Sequence, residues 1–315
     1  MGPDEAGGKG RLAVVLHGKL GNFPSLLPHA QSRPTRALEN AQPSAQLGVL
    51  CALSMLRNVV RPNARAFSVD VIGHSWSPAV GGVLDAIYQP VRSLHEPEPS
   101  GGCPPALFER RYCERTRAHI RGISRALRLK RSHESSHGFT YDLVFLSRWD
   151  VLWQQPLAVK SLPGFSRLAN RVWLPRMCAP LNSAEMGRSL RESICGGQAG
   201  PWSAPQPALE CSAAARACAA DMSEEARQYY LMDWWLLFGS SELSDRFAQM
   251  DTSFVEIGEI VRSRLSSQQR KVIAMGHAWW GVQLLWRMRA QLVFALDAGV
   301  NFILGRRGPA FGPAL

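Results

Sequence analysis

Tyr141-Asp142-Leu143-Val144-Phe145-Leu146-Ser147-Arg148-Trp149-Asp150-Val151-Leu152-Trp153 is the stretch on which the reading of the fold turns. Residues 141–146 are apolar and partly β-branched or aromatic, the composition of a buried strand. Arg148 and Asp150 stand two apart, so in extended geometry their side chains point to one side. A strand ending in a guanidinium and a carboxylate fits the C-terminal edge of a parallel sheet, where open α/β sheets bind ligands. Neither charge is cheap to bury unpaired. Two readings stay open at this point: a structural Arg–Asp pair, or a pair that meets a ligand.

Working outward, further strands are expected at 12–16, 67–72, 91–94, 171–174, 234–238 and 300–304. Apolar residues at helical spacing predict helices over 47–60, 83–88, 107–131, 241–247 and 279–294, the first ending before Pro62. Ser241 or Ser244 would cap the fourth of these. Strands alternating with helices predict an α/β sandwich on a mainly parallel sheet. Residues 1–10 read as a disordered tail and 11–315 as a single domain. Pro, Ser and Gln make 28–45 irregular, and an Ala-, Ser-, Cys- and Gly-rich insertion of low complexity spans about 178–228.

The bulk numbers agree with a folded chain: 315 residues, 46% hydrophobic and 19% charged. The net charge of +11 favours anionic partners. The arginines of 107–131 lie mostly off the apolar stripe and read as a solvated helix face. No nucleic-acid partner is expected, because aromatic interleaving and a known binding module are absent. Seven cysteines without a C-x-x-C argue against a cysteine-based zinc site. Cys51 reads as core; Cys195, Cys211 and Cys218 fit either disulfides or reduced thiols. No signal-peptide pattern opens the chain, and Arg287, Arg289 and Asp297 interrupt the longest apolar stretch. The chain as given is therefore expected to be soluble, without a membrane span, and its compartment is left open.

Three short motifs invite chemistry. Gly73-His74-Ser75-Trp76-Ser77 resembles the nucleophile elbow of α/β-hydrolases, with Val14-Val-Leu-His17-Gly18 as an oxyanion loop. The elbow needs a second glycine for its tight turn, and Ser77 stands there. His133-Glu134-Ser-Ser-His137 matches the H-E-x-x-H zinc pattern, which works only on a helix. Here it reads as a polar loop ahead of Gly138. Gly-rich phosphate loops are absent.

Taken in order, several segments resemble one family. They are Leu12 to Gly18; Phe67 to Ser77, similar to "D-V-F-I-H-T-W-S"; and Tyr88-Gln-Pro90 with Glu96-Pro97. They continue through 120–131 with Tyr141-Asp142, similar to "Y-D-x-V-I-R-x-R-x-D-L", then Asp233 to Ser240 and Val300 to Arg306. The family is the glycosyltransferases that carry an R-x-D motif. The resemblance implies a GT-A-like three-layer sandwich and transfer of a sugar from a nucleotide sugar to a glycan, lipid or protein acceptor. It implies donor contacts from Gly18, His74, Trp76, Arg148, Asp150 and Arg306. It also implies Mn²⁺ or Mg²⁺ on Asp150, and Asp233 as base or acceptor contact. Two departures stand out. Lys19 to Asn22 lacks the arginine usual in the family's first loop. Trp279-Trp280 stands near where members often carry an acidic residue after a histidine. The alternatives are a hydrolase using Ser75, or an inactive fold that only binds a nucleotide sugar.

Overall fold

The computed structural model describes residues 9–20, 41–99, 103, 110–153, 155–162, 164–166, 170–175, 235–264, 279–280, 282–295 and 302–304. Nine runs of the described residues become strands, of which β1, β4 and β7 are the most apolar and the most deeply buried. These are β1 (Gly10–His17), β2 (Phe67–Ser75), β3 (Arg92–His95), β4 (Leu143–Arg148), β5 (Val151–Trp153), β6 (Arg171–Pro175), β7 (Trp235–Phe238) and β8 (Gln291–Ala295); a ninth, β9 (Phe302–Leu304), follows. Seven of them form one sheet in the order β3-β2-β1-β4-β7-β6-β8. β1 pairs in parallel with β2 and β4, β2 with β3, and β6 with β8. Only β7 runs the other way, against β4 and β6. The short β5 turns out of this sheet and pairs antiparallel with β9.

Alternate residues of β1 go to opposite sides. Ala13 and Val15 join the core under α4 (Arg110–His137), α5 (Ser241–Ala248) and α6 (Phe254–Arg264), with Ile120, Ile123, Leu127, Phe247 and Phe254. Leu12, Val14 and Leu16 join the core under α1 (Ala41–Met55) and α3 (Gly81–Tyr88), with Met55, Leu84 and Tyr88. The chain is thus a three-layer α/β sandwich on a mostly parallel sheet, as the strand-and-helix alternation predicts. No helix among the described residues is long and apolar enough to cross a membrane.

The structure departs from the sequence reading in instructive places. The first helix does not stop before Pro62. A π-helical turn, Leu56–Val60, precedes α2 (Arg61–Ala64), which carries Pro62 in its first turn, where a missing N–H costs least. Trp279 to Phe294 is not one helix. After a π-helical turn, Val282–Arg287, the backbone reaches positive φ at Arg289, and the Leu-Val-Phe of 291–295 extends as edge strand β8. The cap of α5 is Ser240, whose side chain accepts the Leu243 N–H at 3.2 Å, rather than Ser241 or Ser244. Cys103 and Cys113 are joined by a disulfide that ties residue 103 to the first turns of α4, a pairing that spacing alone did not suggest. Cys51 is buried, as expected. The expected insertion, with Cys195, Cys211 and Cys218, lies outside the described residues.

Candidate functional site

The C-terminal ends of β1, β2 and β4 meet at one edge of the sheet. His17 of β1 is in register with Arg148 of β4, and Leu16 with Gly73 of β2. Two tryptophans close over the end of β1. The Trp149 N–H donates to the His17 carbonyl at 3.3 Å, and the Trp76 N–H donates to the Gly18 carbonyl at 3.1 Å. Gly18 turns the chain at φ +100°, a conformation that side chains rarely adopt. The Trp149 indole then lies over Gly73 and donates from Nε1 to the His74 carbonyl at 2.7 Å. Trp76 donates from Nε1 to the Ala118 carbonyl of α4 at 3.0 Å.

His74 is fully buried and stands edge-on to Trp76, ring centroids 4.3 Å apart. Its Nε2 is 3.0 Å from Oε1 of Glu96, which also takes the Arg125 Nε–H at 2.9 Å. The Glu96 N–H donates to the Ser75 carbonyl at 3.0 Å, so this carboxylate holds β2 and α4 together just past β3. Burial lowers the His74 pKa, and the Glu96 hydrogen bond only partly offsets it. His17 lies 5.2 Å from the His119 ring, which in turn stacks near Trp280. Glu96, Arg125, His17 and His119 belong to this edge but were not nominated as donor contacts from the sequence. Glu96 had a signal there in the Glu-Pro pair after β3, and His17 in the motif that closes the first strand.

Arg148 and Asp150 bond to each other twice. Nε donates to Oδ1 and Nη2 to Oδ2, both at 2.8 Å. The Asp150 side chain has no exposed surface, and Arg148 keeps about an eighth of its own, at 12%. The Asp150 charge reaches Cys51: burial first, and this carboxylate second, push the Cys51 thiol up to about 12, so it stays protonated. The two side chains do meet, with the pairing that buried charges need, but β4 ends at Arg148 and Asp150 stands in the turn before β5, so the contact is made across a turn rather than along one side of an extended strand.

The other motifs part from chemistry. Ser75 ends a strand rather than sitting on an exposed turn. It is fully buried, and its Oγ accepts the Ser77 N–H at 2.9 Å. No histidine nitrogen bonds to it among the described residues, so the nucleophile elbow is not built. His133 to His137 is not a loop; it forms the last turns of α4. Even so, Glu134 is committed elsewhere. Its Oε2 takes Lys130 at 2.9 Å and its Oε1 accepts the Tyr141 N–H at 2.8 Å. No group of three metal-ligating side chains forms among the described residues. Asp233 and Arg306 lie outside the described residues.

No known family profile matches the sequence, and no curated protein matches it. Among solved structures, the mannosyltransferase Ktr4p from S. cerevisiae aligns over 92% of this chain and 70% of its own length, at 7% identity and a TM-score of 0.38. A likeness that loose carries no argument, and the functional reading rests on the residues themselves.

Proposed function

We propose that this chain is a GT-A-like glycosyltransferase that binds a nucleotide sugar at the C-terminal edge formed by β1, β2 and β4. One observation carries the reading. Gly18, His74, Trp76, Arg148 and Asp150, drawn from segments up to 132 residues apart in sequence (150 minus 18), cluster at the ends of three adjacent strands. That edge is where mainly parallel sheets receive ligands, and the resemblance nominated the same residues independently. The chain's net charge of +11 suits a polyanionic donor.

In such a transfer the acceptor hydroxyl oxygen bonds to the sugar's C1. The bond from C1 to the diphosphate oxygen breaks, and its electron pair stays on that oxygen. The hydroxyl proton passes to a base. Arg148, a fork of N–H donors, would stabilise the diphosphate as its charge grows. Trp76 and His74 would shape the wall beside it. Asp233 remains the candidate base and Arg306 a second diphosphate contact. Arg306 follows two residues after Leu304, which pairs with Val151.

A thermal-shift screen against UDP-, GDP- and CMP-sugars tests the reading, since a ligand that binds only the folded chain raises its melting temperature. A rise with one nucleotide is the expected result. No rise with any of them, in folded protein, would contradict it. A fluorophosphonate probe is expected to leave Ser75 unlabelled, because that hydroxyl is buried and no histidine among the described residues activates it.

A further inference from the structure

We infer that the outer face of the helical run 41–64 is a docking surface for an anionic lipid bilayer, with Leu50 and Leu53 entering the interface and the cations beyond them meeting the headgroups. The inference stands apart from the donor-site reading above.

Leu50, Leu53, Arg57 and Arg61 recur three or four residues apart along α1, the π-helical turn and α2, so they share one side of the run. The opposite side is fixed in the protein. Ala52, Met55 and Val59 belong to the core on that face of the sheet. Asn58 donates to the Trp153 carbonyl at 2.6 Å, and Asn63 to the Leu157 carbonyl at 2.7 Å. The outward side is bare. Leu50 and Leu53, at 58% and 54%, are the two most exposed large apolar side chains among the described residues.

The charges on this side are of one sign. Arg57, Arg61 and Arg65 are exposed, and none of their guanidinium groups makes an ion pair or hydrogen bond among the described residues. Two more exposed cations gather where the run ends. Lys9 donates from Nζ to the Ala64 carbonyl at 3.3 Å, and Lys160 stands over the Phe67 ring at 5.4 Å. Residues 41–66 and 151–162 contain no aspartate or glutamate. The contrast is α4, where Arg125 meets Glu96 at 2.9 Å, and Arg121 and Arg128 both meet Asp251 at 3.5 Å. A cationic face without a counter-charge fits an anionic partner. The two leucines choose among such partners. A nucleic acid or a soluble polyanion gains nothing by covering them, whereas a bilayer buries apolar side chains and attracts the cations around them at once. Each cation held near an anionic bilayer strengthens binding by a factor of about five. None of these residues belongs to the edge formed by β1, β2 and β4, so their replacement tests docking apart from donor binding.

The test is sedimentation of the full chain with phosphatidylcholine vesicles, with and without about a third of phosphatidylserine. It is run in about 0.1 M and about 1 M salt. Binding to the anionic vesicles alone, lost at the higher salt, is expected. Arg57→Glu together with Arg61→Glu is expected to lower the partition coefficient about a hundredfold. Arg128→Glu together with Arg131→Glu changes the net charge equally on α4 and is expected to lower it by less than about fivefold. Leu50→Ser together with Leu53→Ser is expected to lower it about tenfold and to leave retention on heparin unchanged. All six positions are exposed, so the melting temperature is expected to hold. Should a pair of substitutions lower it, Arg61→Gln alone is read instead, with a loss of about fivefold expected. No binding to anionic vesicles at the lower salt, equal binding to neutral ones, or equal losses from the two arginine pairs would overturn the inference. A leucine pair without effect would overturn it too and mark the face as one for a soluble polyanion.

Discussion

Gly73 is the residue on which the edge closes. A Cβ there would overlap the Trp149 ring, whose Nε1 is anchored on the His74 carbonyl. Trp149 is buried, so the ring has no room to retreat. Gly73→Ala is expected to destabilise the chain by about 1–3 kcal/mol, read as a lowered urea midpoint, and to weaken nucleotide binding by displacing Trp149. An unchanged midpoint would show that the ring is not held as described. His74 makes a second claim at this scale. Burial lowers its pKa below the ordinary value of 6.5. On acidification the unfolded chain therefore takes up a proton before the folded one does. Its contribution to stability is complete above about pH 6.5 and is lost as pH falls through the lowered folded value. His133 shifts in the same direction, so the difference between wild type and His74→Asn isolates the effect. The pH dependence of the urea midpoint is expected to be shallower in the variant. Arg148 and Asp150 were legible in the sequence as charges closing an apolar strand; that they pair across the turn at 149–150, after β4 has ended, was not. Glu96 as the latch of His74 was not, because that contact joins residues 22 apart across α3 and β3, and no local pattern encodes it.

At the scale of elements, α4 shows what a charge count hides. Its arginines read as a solvated face, and Arg125, Arg128 and Arg131 are indeed exposed; Lys130 between them is fully buried. Lys130 Nζ pairs with Glu134 at 2.9 Å and Asp245 at 3.0 Å, and it donates to the Ser241 hydroxyl. Burial raises the Asp245 pKa, and Lys130 pulls it back. Lys130→Met would strand two carboxylates around an apolar tip. A loss of about 3–5 kcal/mol in chemical denaturation is expected, and a loss below about 1 kcal/mol would mean that the cluster is solvated. The helix-to-loop boundary was legible only to Arg131, since Ser135 and Ser136 break the apolar stripe while His133 and Glu134 still turn inward. A similar device fixes the opposite face. Asn63 donates to the Val59 and Leu157 carbonyls, each at 2.7 Å, and accepts the Val159 N–H at 2.8 Å, so the segment after β5 is stitched to the first helix. Local propensity cannot announce such a role, since an asparagine within a helix ordinarily reads as mildly unfavourable.

At the scale of the molecule, the layering of helices on both faces of a mostly parallel sheet follows from patterns that were legible, whereas the strand order does not. Near-continuous apolar runs in β1, β4 and β7 demand cover on both faces, and helices supply it on each side. The antiparallel direction of β7 and the departure of β5 to pair with β9 were not legible, because the hydrophobic pattern of a strand is the same in either direction. The consequence for function is that three parallel strands end together, and the charged residues at those ends come from distant parts of the chain. The disulfide between Cys103 and Cys113 adds a whole-molecule expectation. The chain is expected to run faster on a non-reducing gel than on a reducing one, and identical mobility with both thiols alkylated would contradict the bond. The central claim is that the edge at Arg148 is where a nucleotide sugar is bound and its diphosphate stabilised. The most direct measurement is release of nucleoside diphosphate from the best-binding nucleotide sugar by wild type and by Arg148→Lys, at equal melting temperature. The account predicts a loss of about a hundredfold in the variant, the order expected for removing one donor to a developing anion. Equal release by the two proteins would contradict it.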